Sequence, residues 1–267
     1  MSHLIFEDKT YQLRGAVYEV FKRLGPGWDE NTYHQAMLEV FKETNIPFET
    51  KARRVITHRE VEVDRFECDL IVWDVIVLEL KVLPFTTFAA VHYAQLGHYL
   101  KTWNKRLGLL VNFGGTKANI ERVLWKNPEW KLIEDTSALE NYSISEYQFA
   151  KDFLSIFALF VGEQYGLGYP ELTYRSLLGV EANYQSIPCQ SNLTLPAFWN
   201  DKLLGEHKTD HFLLNNTCLV NIRANLEYPP RYDFARMKTY LRICGVKFGF
   251  IVNFGKKQIQ IYGVNPE

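Results

Sequence analysis

The chain repeats itself at one fixed spacing. Gly27-Trp28-Asp29-Glu30-Asn31-Thr32-Tyr33 returns as Gly168-Tyr169-Pro170-Glu171-Leu172-Thr173-Tyr174, Val111-Asn112-Phe113-Gly114 returns as Val252-Asn253-Phe254-Gly255, and Asp69 meets Asp210, all 141 residues apart. Matches that share one offset are hard to obtain by chance and read as a tandem duplication, so the second half is expected to adopt whatever fold the first adopts. The expected division is a first unit over residues 1–125, a polar, mildly acidic connector over 126–146 and a second unit over 147–267. At 267 residues and 47% hydrophobic content, the chain has material for two modest cores.

In the first copy, residues 10–24 carry Leu13, Val17, Val20 and Phe21 at helical spacing, and Gly25-Pro26-Gly27 ends that helix. Asp29 can cap a second helix over 30–44, whose core face is Tyr33, Met37, Val40 and Phe41. Residues 47–57 alternate loosely as a strand. Phe66–Val72 and Val75–Val82 are rich in β-branched and bulky residues and read as two further strands joined by a tight turn at Trp73-Asp74. Residues 86–104 return to helical spacing, and the apolar run 107–113, closed by Gly114-Gly115, reads as a buried strand. The expected fold class is α/β with a mixed sheet, present twice.

The hairpin carries the chemistry. With its turn centred near Asp74, Asp69 lies across from Glu79, and alternation puts Glu79 and Lys81 on one exposed face with Leu78, Leu80 and Val82 on the other. Two carboxylates at that separation repel unless a divalent cation lies between them, and hard cations such as Mg²⁺ prefer oxygen ligands. The plainer alternative is a half-exposed hairpin with a surface Glu–Lys pair of little energetic weight.

The spacing D-x9-E-x-K resembles the PD-(D/E)xK motif of a nuclease superfamily, with Cys68 where that pattern usually has proline. With G-x-x-E-x-x-Y, Gln95-Leu96-x-x-Tyr99-Leu100 and V-N-F-G, residues 10–125 look like the GxxExxY family of that superfamily, and residues 150–264 look like a second, diverged copy. The resemblance implies an αβββαβ core and metal-dependent hydrolysis of phosphodiester bonds, above all of DNA. It implies that Asp69, Glu79 and the carbonyl of Leu80 hold Mg²⁺ or Mn²⁺. Glu30 is then either an additional acid or a first-turn residue favoured by the helix dipole. It also implies that Lys81 orients the attacking water or stabilises the transition state. Gln95 and Tyr99 contact the metal-site water or the nucleic acid in this reading; in the plainer one they are a solvated glutamine and a tyrosine in a helix interface.

The second copy departs where the chemistry resides. Leu78-Glu79-Leu80-Lys81 aligns with Val220-Asn221-Ile222-Arg223, with one residue inserted in the Asn215-Asn216 turn, and Arg236 replaces Gln95. Asn221 offers a cation no charge and Arg223 does not readily give up a proton, so this copy is expected to be catalytically silent. Its arginines either attract phosphates, the two copies acting as an intramolecular pseudo-dimer on nucleic acid, or pair with Asp210 and fill the abandoned site.

Lys plus Arg number 30 against 31 for Asp plus Glu, a net charge of −1, so any basic groove has to be local. Lys51, Arg53, Arg54, His58 and Arg59 form the densest basic run and could follow a phosphate backbone, or simply be a solvated strand and turn. Four scattered cysteines without a C-x-x-C argue against a zinc site and a disulfide framework. No signal peptide is read in MSHLIFEDKTYQ, and the longest apolar run, 153–161, is too short to cross a bilayer, so a cytoplasmic protein with no membrane partner is expected. The competing reading, from another class, is a non-catalytic nucleic-acid or protein binding module, or a regulatory subunit, that keeps the hairpin motif as a relic.

Overall fold

A computed structural model describes residues 5–267. The chain forms two compact units, the first running to Val55 and resuming over Arg65–Lys126, the second comprising Ile56–Asp64 and Asn127–Glu267.

In the first unit, α1 (Glu7–Leu24) and α2 (Glu30–Glu43) lead into β1 (Phe48–His58) and β2 (Val61–Val72), whose 56–64 end is counted with the second unit, and β3 (Ile76–Lys81), followed by α3 (Ala90–Thr102), β4 (Leu107–Asn112) and β5 (Asn119–Leu124). The strands form one sheet in the order β1-β2-β3-β4-β5, with β3 and β4 parallel. Asp29 caps α2 by accepting from the Thr32 N–H at 2.7 Å. Trp73 and Asp74 both take positive φ, 51° and 57°, which gives a tight turn whose twist suits a hairpin. The ladder pairs Leu70 with Leu78 and Val72 with Ile76, which leaves residues 73–75 between the closing pair and centres the register on residue 74 as the spacing predicts. Leu70, Val72, Leu78 and Leu80 pack against Leu13, Val17, Met37 and Phe41 of α1 and α2, while Ile71, Val77 and Leu110 pack with Leu96 and Leu100 of α3. The sheet is thus the middle layer, buried on both faces, which is why its central strands read as continuous apolar runs.

The second unit runs β6 (Lys131–Asp135), α4 (Ile144–Gln164), α5 (Glu171–Tyr184), β7 (Cys189–Gln190), β8 (Thr194–Trp199), β9 (Lys202–Lys208), β10 (Phe212–Leu214), β11 (Cys218–Arg223), α6 (Arg231–Cys244), β12 (Phe248–Phe254) and β13 (Gln258–Val264). Its main sheet has the order β6-β13-β12-β11-β10-β7, again with a parallel central pair, β11 and β12, and β8-β9 forms a separate two-stranded sheet. Two details differ from the sequence reading. Residues 131–135, inside the stretch read as a connector, form an edge strand parallel to β13, where they satisfy a sheet edge that would otherwise be open. The extra residue is not in the Asn215-Asn216 turn, which is a tight turn like Trp73-Asp74. Phe212 pairs Val220 as Leu70 pairs Leu78, so the insertion falls just before Phe212, at His211.

The recurring motifs make the same contacts in both units. Gly27 and Gly168 adopt φ of 108° and 98°, a conformation that favours glycine. Tyr33 stacks on Phe113 at 4.5 Å and donates its hydroxyl to the Gly25 carbonyl at 2.7 Å; Tyr174 stacks on Phe254 at 4.1 Å and donates to the Gly166 carbonyl at 3.0 Å. The buried Asn112 amide pins the connection between β3 and α3, accepting from Leu83 N–H at 2.8 Å and Gly114 N–H at 3.0 Å and donating to the Leu83 and Phe85 carbonyls at 3.2 and 2.7 Å. Asn253 does likewise, accepting from Asn225 N–H and donating to the carbonyls of Asn225 and Glu227. A Cβ on Gly114 would collide with the Leu83 backbone, which accounts for the last letter of V-N-F-G. Asn112→Ala should therefore lower unfolding free energy by roughly 1–3 kcal/mol, the cost of orphaning buried polar groups. Denaturant titration checks this, and amide exchange should quicken at Leu83 and Gly114.

Candidate active site

β2 and β3 stay paired as far as Leu70–Leu78, and one step further the ladder stops. There the Leu80 N–H donates to Asp69 Oδ2 at 2.9 Å, so a side-chain carboxylate takes the place of a strand carbonyl. Cys68, which strict alternation would put with Leu70, packs instead with Ile71 and Val77, so the alternation shifts by one residue across Asp69.

Glu79 shares its face of β3 with Val77, which packs with α3, and this corrects the expectation of an exposed position: Glu79 is 2% exposed and Asp69 6%. The helix that covers this face cannot be read from the hairpin alone. Glu79 Oε1 accepts from Lys81 Nζ at 2.6 Å, while Oε2 is buried without a hydrogen-bond partner. Burial, joined by the charge of Asp69, pushes the Glu79 carboxyl up to about 7 against the pull of Lys81. Glu30, at the first turn of α2, is half-exposed, with Oε2 4.0 Å from Lys81 Nζ; burial lifts its carboxyl too, with Lys81 opposing. Gln95 and Tyr99 meet each other, the amide Nε2 donating to the phenol oxygen at 3.0 Å. Burial and Glu79 push the Tyr99 phenol up to about 12, so it stays protonated.

The basic run does not assemble into one groove. Lys51 turns onto Asp69, its Nζ 2.5 Å from Oδ1; Arg53 pairs with Glu67 at 2.6 Å; Arg54 donates to the Thr102 carbonyl at 2.5 Å. His58 and Arg59 lie in the second unit, both on the Glu181 carboxylate, at 2.7 and 3.0 Å. Two residues beside Asp69 escaped sequence reasoning as parts of the site. Lys51, a member of the basic run, meets Asp69, and His34, buried one residue after the motif tyrosine, brings Nε2 to within 3.0 Å of Thr50 Oγ1 and 3.4 Å of the Asp69 carbonyl.

At the corresponding place in the second unit, Arg223 Nε lies 2.8 Å from Asp233 and its Nη1 3.1 Å from Glu171 and 3.6 Å from Asp210. Arg236 Nη2 lies 3.1 Å from Asp210 and 3.6 Å from Asp233. The inserted His211 is fully buried, with Nδ1 2.9 Å from the Asp210 carboxylate. Although burial disfavours its charge, Asp210 is held well below the usual carboxylate range by His211 and Arg236. Both arginines are thus engaged by acids, and Asn221 is buried with neither amide atom hydrogen-bonded.

The first-unit residues fit a hard divalent cation. Two buried carboxylates, one with an unpartnered oxygen, suit Mg²⁺, which is commonly held by one or two carboxylates with water and substrate oxygens completing its shell. Among the described residues no group of three or more His, Cys, Asp or Glu is placed to hold a metal, so such a site relies on backbone and water oxygens for the remainder.

The first unit thus interrupts its central ladder where two buried acids and a lysine meet. The chain belongs to the PD-(D/E)XK nuclease superfamily, whose family model matches residues 7–123 and 152–262. Members of that superfamily are generally phosphodiester-cleaving nucleases. No curated protein matches the chain. Among solved structures, one described as "Crystal structure of SSO0001" is 22% identical, with a TM-score of 0.31 over 45% of this chain; the match spans 60% of the length of that protein. Among the described residues, no helix is long and apolar enough to cross a membrane.

The raised Glu79 carboxyl gives a test in metal-free protein. Between the ordinary glutamate range and about 7 the folded state keeps a proton that the unfolded state has released, so stability falls as pH rises across that window. Glu79→Gln removes this penalty and should be the more stable protein at pH 8 by on the order of 1 kcal/mol, the advantage vanishing below pH ~4.5. Thermal melts in EDTA at the two pH values check it.

Proposed function

We propose that the chain is a divalent-metal-dependent nuclease of the GxxExxY type acting on DNA, with the first copy catalytic and the second a diverged, silent duplicate. Glu79 carries the reading: a buried carboxylate with one oxygen unpartnered, set beside a second buried carboxylate, is disfavoured by burial alone and relieved by a hard cation. When bound, Mg²⁺ or Mn²⁺ supplies an activated water and offsets charge on the scissile phosphate. Asp69 and Glu79 hold the cation, with the Leu80 carbonyl as a further oxygen and Glu30 at the exposed rim. Lys81, only 13% exposed and fixed by Glu79, orients the water or places positive charge against the transition state. The protonated Tyr99 offers a donor beside Gln95 on the helix that covers the acids.

Several observations support the duplication. The two copies share element order and offset, and Lys81 pairs Asn112 as Arg223 pairs Asn253. The engagement of Arg223 and Arg236 by three acids supports a filled site in the second copy over a phosphate grip.

Purified protein should cleave linear or circular DNA with Mn²⁺ or Mg²⁺ and stop with EDTA. Asp69→Ala or Glu79→Ala should slow cleavage by about 10²–10³-fold, the usual cost of losing one preorganised electrostatic group. Asp210→Ala should leave the rate within a few-fold. Absence of metal-dependent cleavage on single- and double-stranded substrates would sink the reading in favour of a binding module, and equal losses from Asp69→Ala and Asp210→Ala would overturn the silent second copy.

A further inference from the structure

Lys51 sits within β1 with φ of 49°. That left-handed conformation is unfavourable for a residue with an ordinary side chain, and asparagine is among the few that adopt it readily. At the repeat offset, 141 residues on, the same backbone conformation recurs at Asn192, with φ of 55°. Both copies therefore need this bend. The second fills it with a residue suited to it, and the first fills it with one that is not. Strain of that kind points to the side chain, and here the side chain delivers an ammonium 2.5 Å from Asp69 Oδ1.

The two partners differ in exposure. The Asp69 side chain is 8% exposed and that of Lys51 45%, so the ammonium reaches in from the open side to a buried carboxylate. It takes the Asp69 oxygen that the Leu80 N–H leaves free, which is the oxygen a cation would need. Asp210 in the second unit is compensated differently, by the charge of Arg236 and a close contact with His211, which are 17% and 0% exposed in their side chains and belong to the closed network. A flexible lysine stem at the rim can withdraw; a buried histidine cannot.

We propose that Lys51 is a displaceable counter-ion. Its ammonium neutralises Asp69 in metal-free protein, leaves when a divalent cation takes the carboxylate pair, and then offers its charge to a phosphate of bound nucleic acid. This rests on the nuclease reading for its last step only.

The test uses the full chain and Mn²⁺ alone, followed by calorimetry. Lys51→Met keeps the stem and removes the ammonium, so Mn²⁺ should bind about 3- to 10-fold more tightly, a modest electrostatic coupling. With Mn²⁺ present, the same variant should bind an uncleavable phosphorothioate oligonucleotide more weakly, and the salt slope of log K should fall by about one. Lys51→Asn, suited to the bend, should give the same two shifts and serves if the methionine variant folds poorly. Folded variants that bind Mn²⁺ equally or less tightly overturn the proposal, because Lys51 would then be supporting Asp69 as a ligand rather than competing for it. Tighter Mn²⁺ binding with an unchanged salt slope overturns the phosphate step. A wild type that binds no Mn²⁺ overturns the competition outright. If wild type binds Mn²⁺ without cleaving any substrate, the nuclease reading fails while the tightening in Lys51→Met still upholds the counter-ion.

Discussion

The hydrogen bond from the Leu80 N–H to the Asp69 carboxylate is what turns a sheet into a site. A central strand pair normally uses every backbone donor and acceptor on its partner, leaving nothing over for chemistry. Here the ladder ends after Leu70–Leu78, and a side chain accepts the bond the neighbouring backbone would have taken. The carboxylate is thereby held in the sheet, beside Glu79, in a layer that α3 covers. Two acids buried together are unfavourable unless compensated, and the compensation comes from Lys51 on one and Lys81 on the other.

The aromatic and asparagine motifs that recur at the 141-residue offset hold that layer in place. The stacked tyrosine and phenylalanine tie α2 to the sheet, and the asparagine of V-N-F-G ties the loop after β3 to the strand beside it. Their counterparts in the second unit make the same contacts around a centre with different charges. Scaffold and chemistry are therefore separable in this fold: the polar clamps persist where the acid pair does not. In the second unit arginines replace the lysine and the glutamine, and their rigid forks bridge three carboxylates into a closed network. Lysine at the corresponding place in the first unit is a point charge on a flexible stem, able to stand near two acids without locking them.

Much of this architecture was legible in the chain. Periodicity located α1, α2 and α3, the apolar runs located β3 and β4, and the tight turn near Asp74 centred the hairpin so that Asp69 comes towards Glu79. These are local properties: spacing along a helix, alternation along a strand and turn length each depend on a few neighbouring residues. The offset of 141 also announced a second unit with the same order of elements. What the sequence could not decide was which approach each side chain would find after folding. Glu79 looked exposed because its strand neighbours do not reveal the helix over that face. Lys51 looked like one more member of a basic run, yet a left-handed bend turns it onto Asp69 while Arg53 and Arg54 find other partners. The inserted residue falls at His211, buried against Asp210, rather than in the Asn215-Asn216 turn. Burial, charge pairing and the displacement of one ladder bond all arise between segments distant in the chain, and only the packed sheet brings those segments within reach.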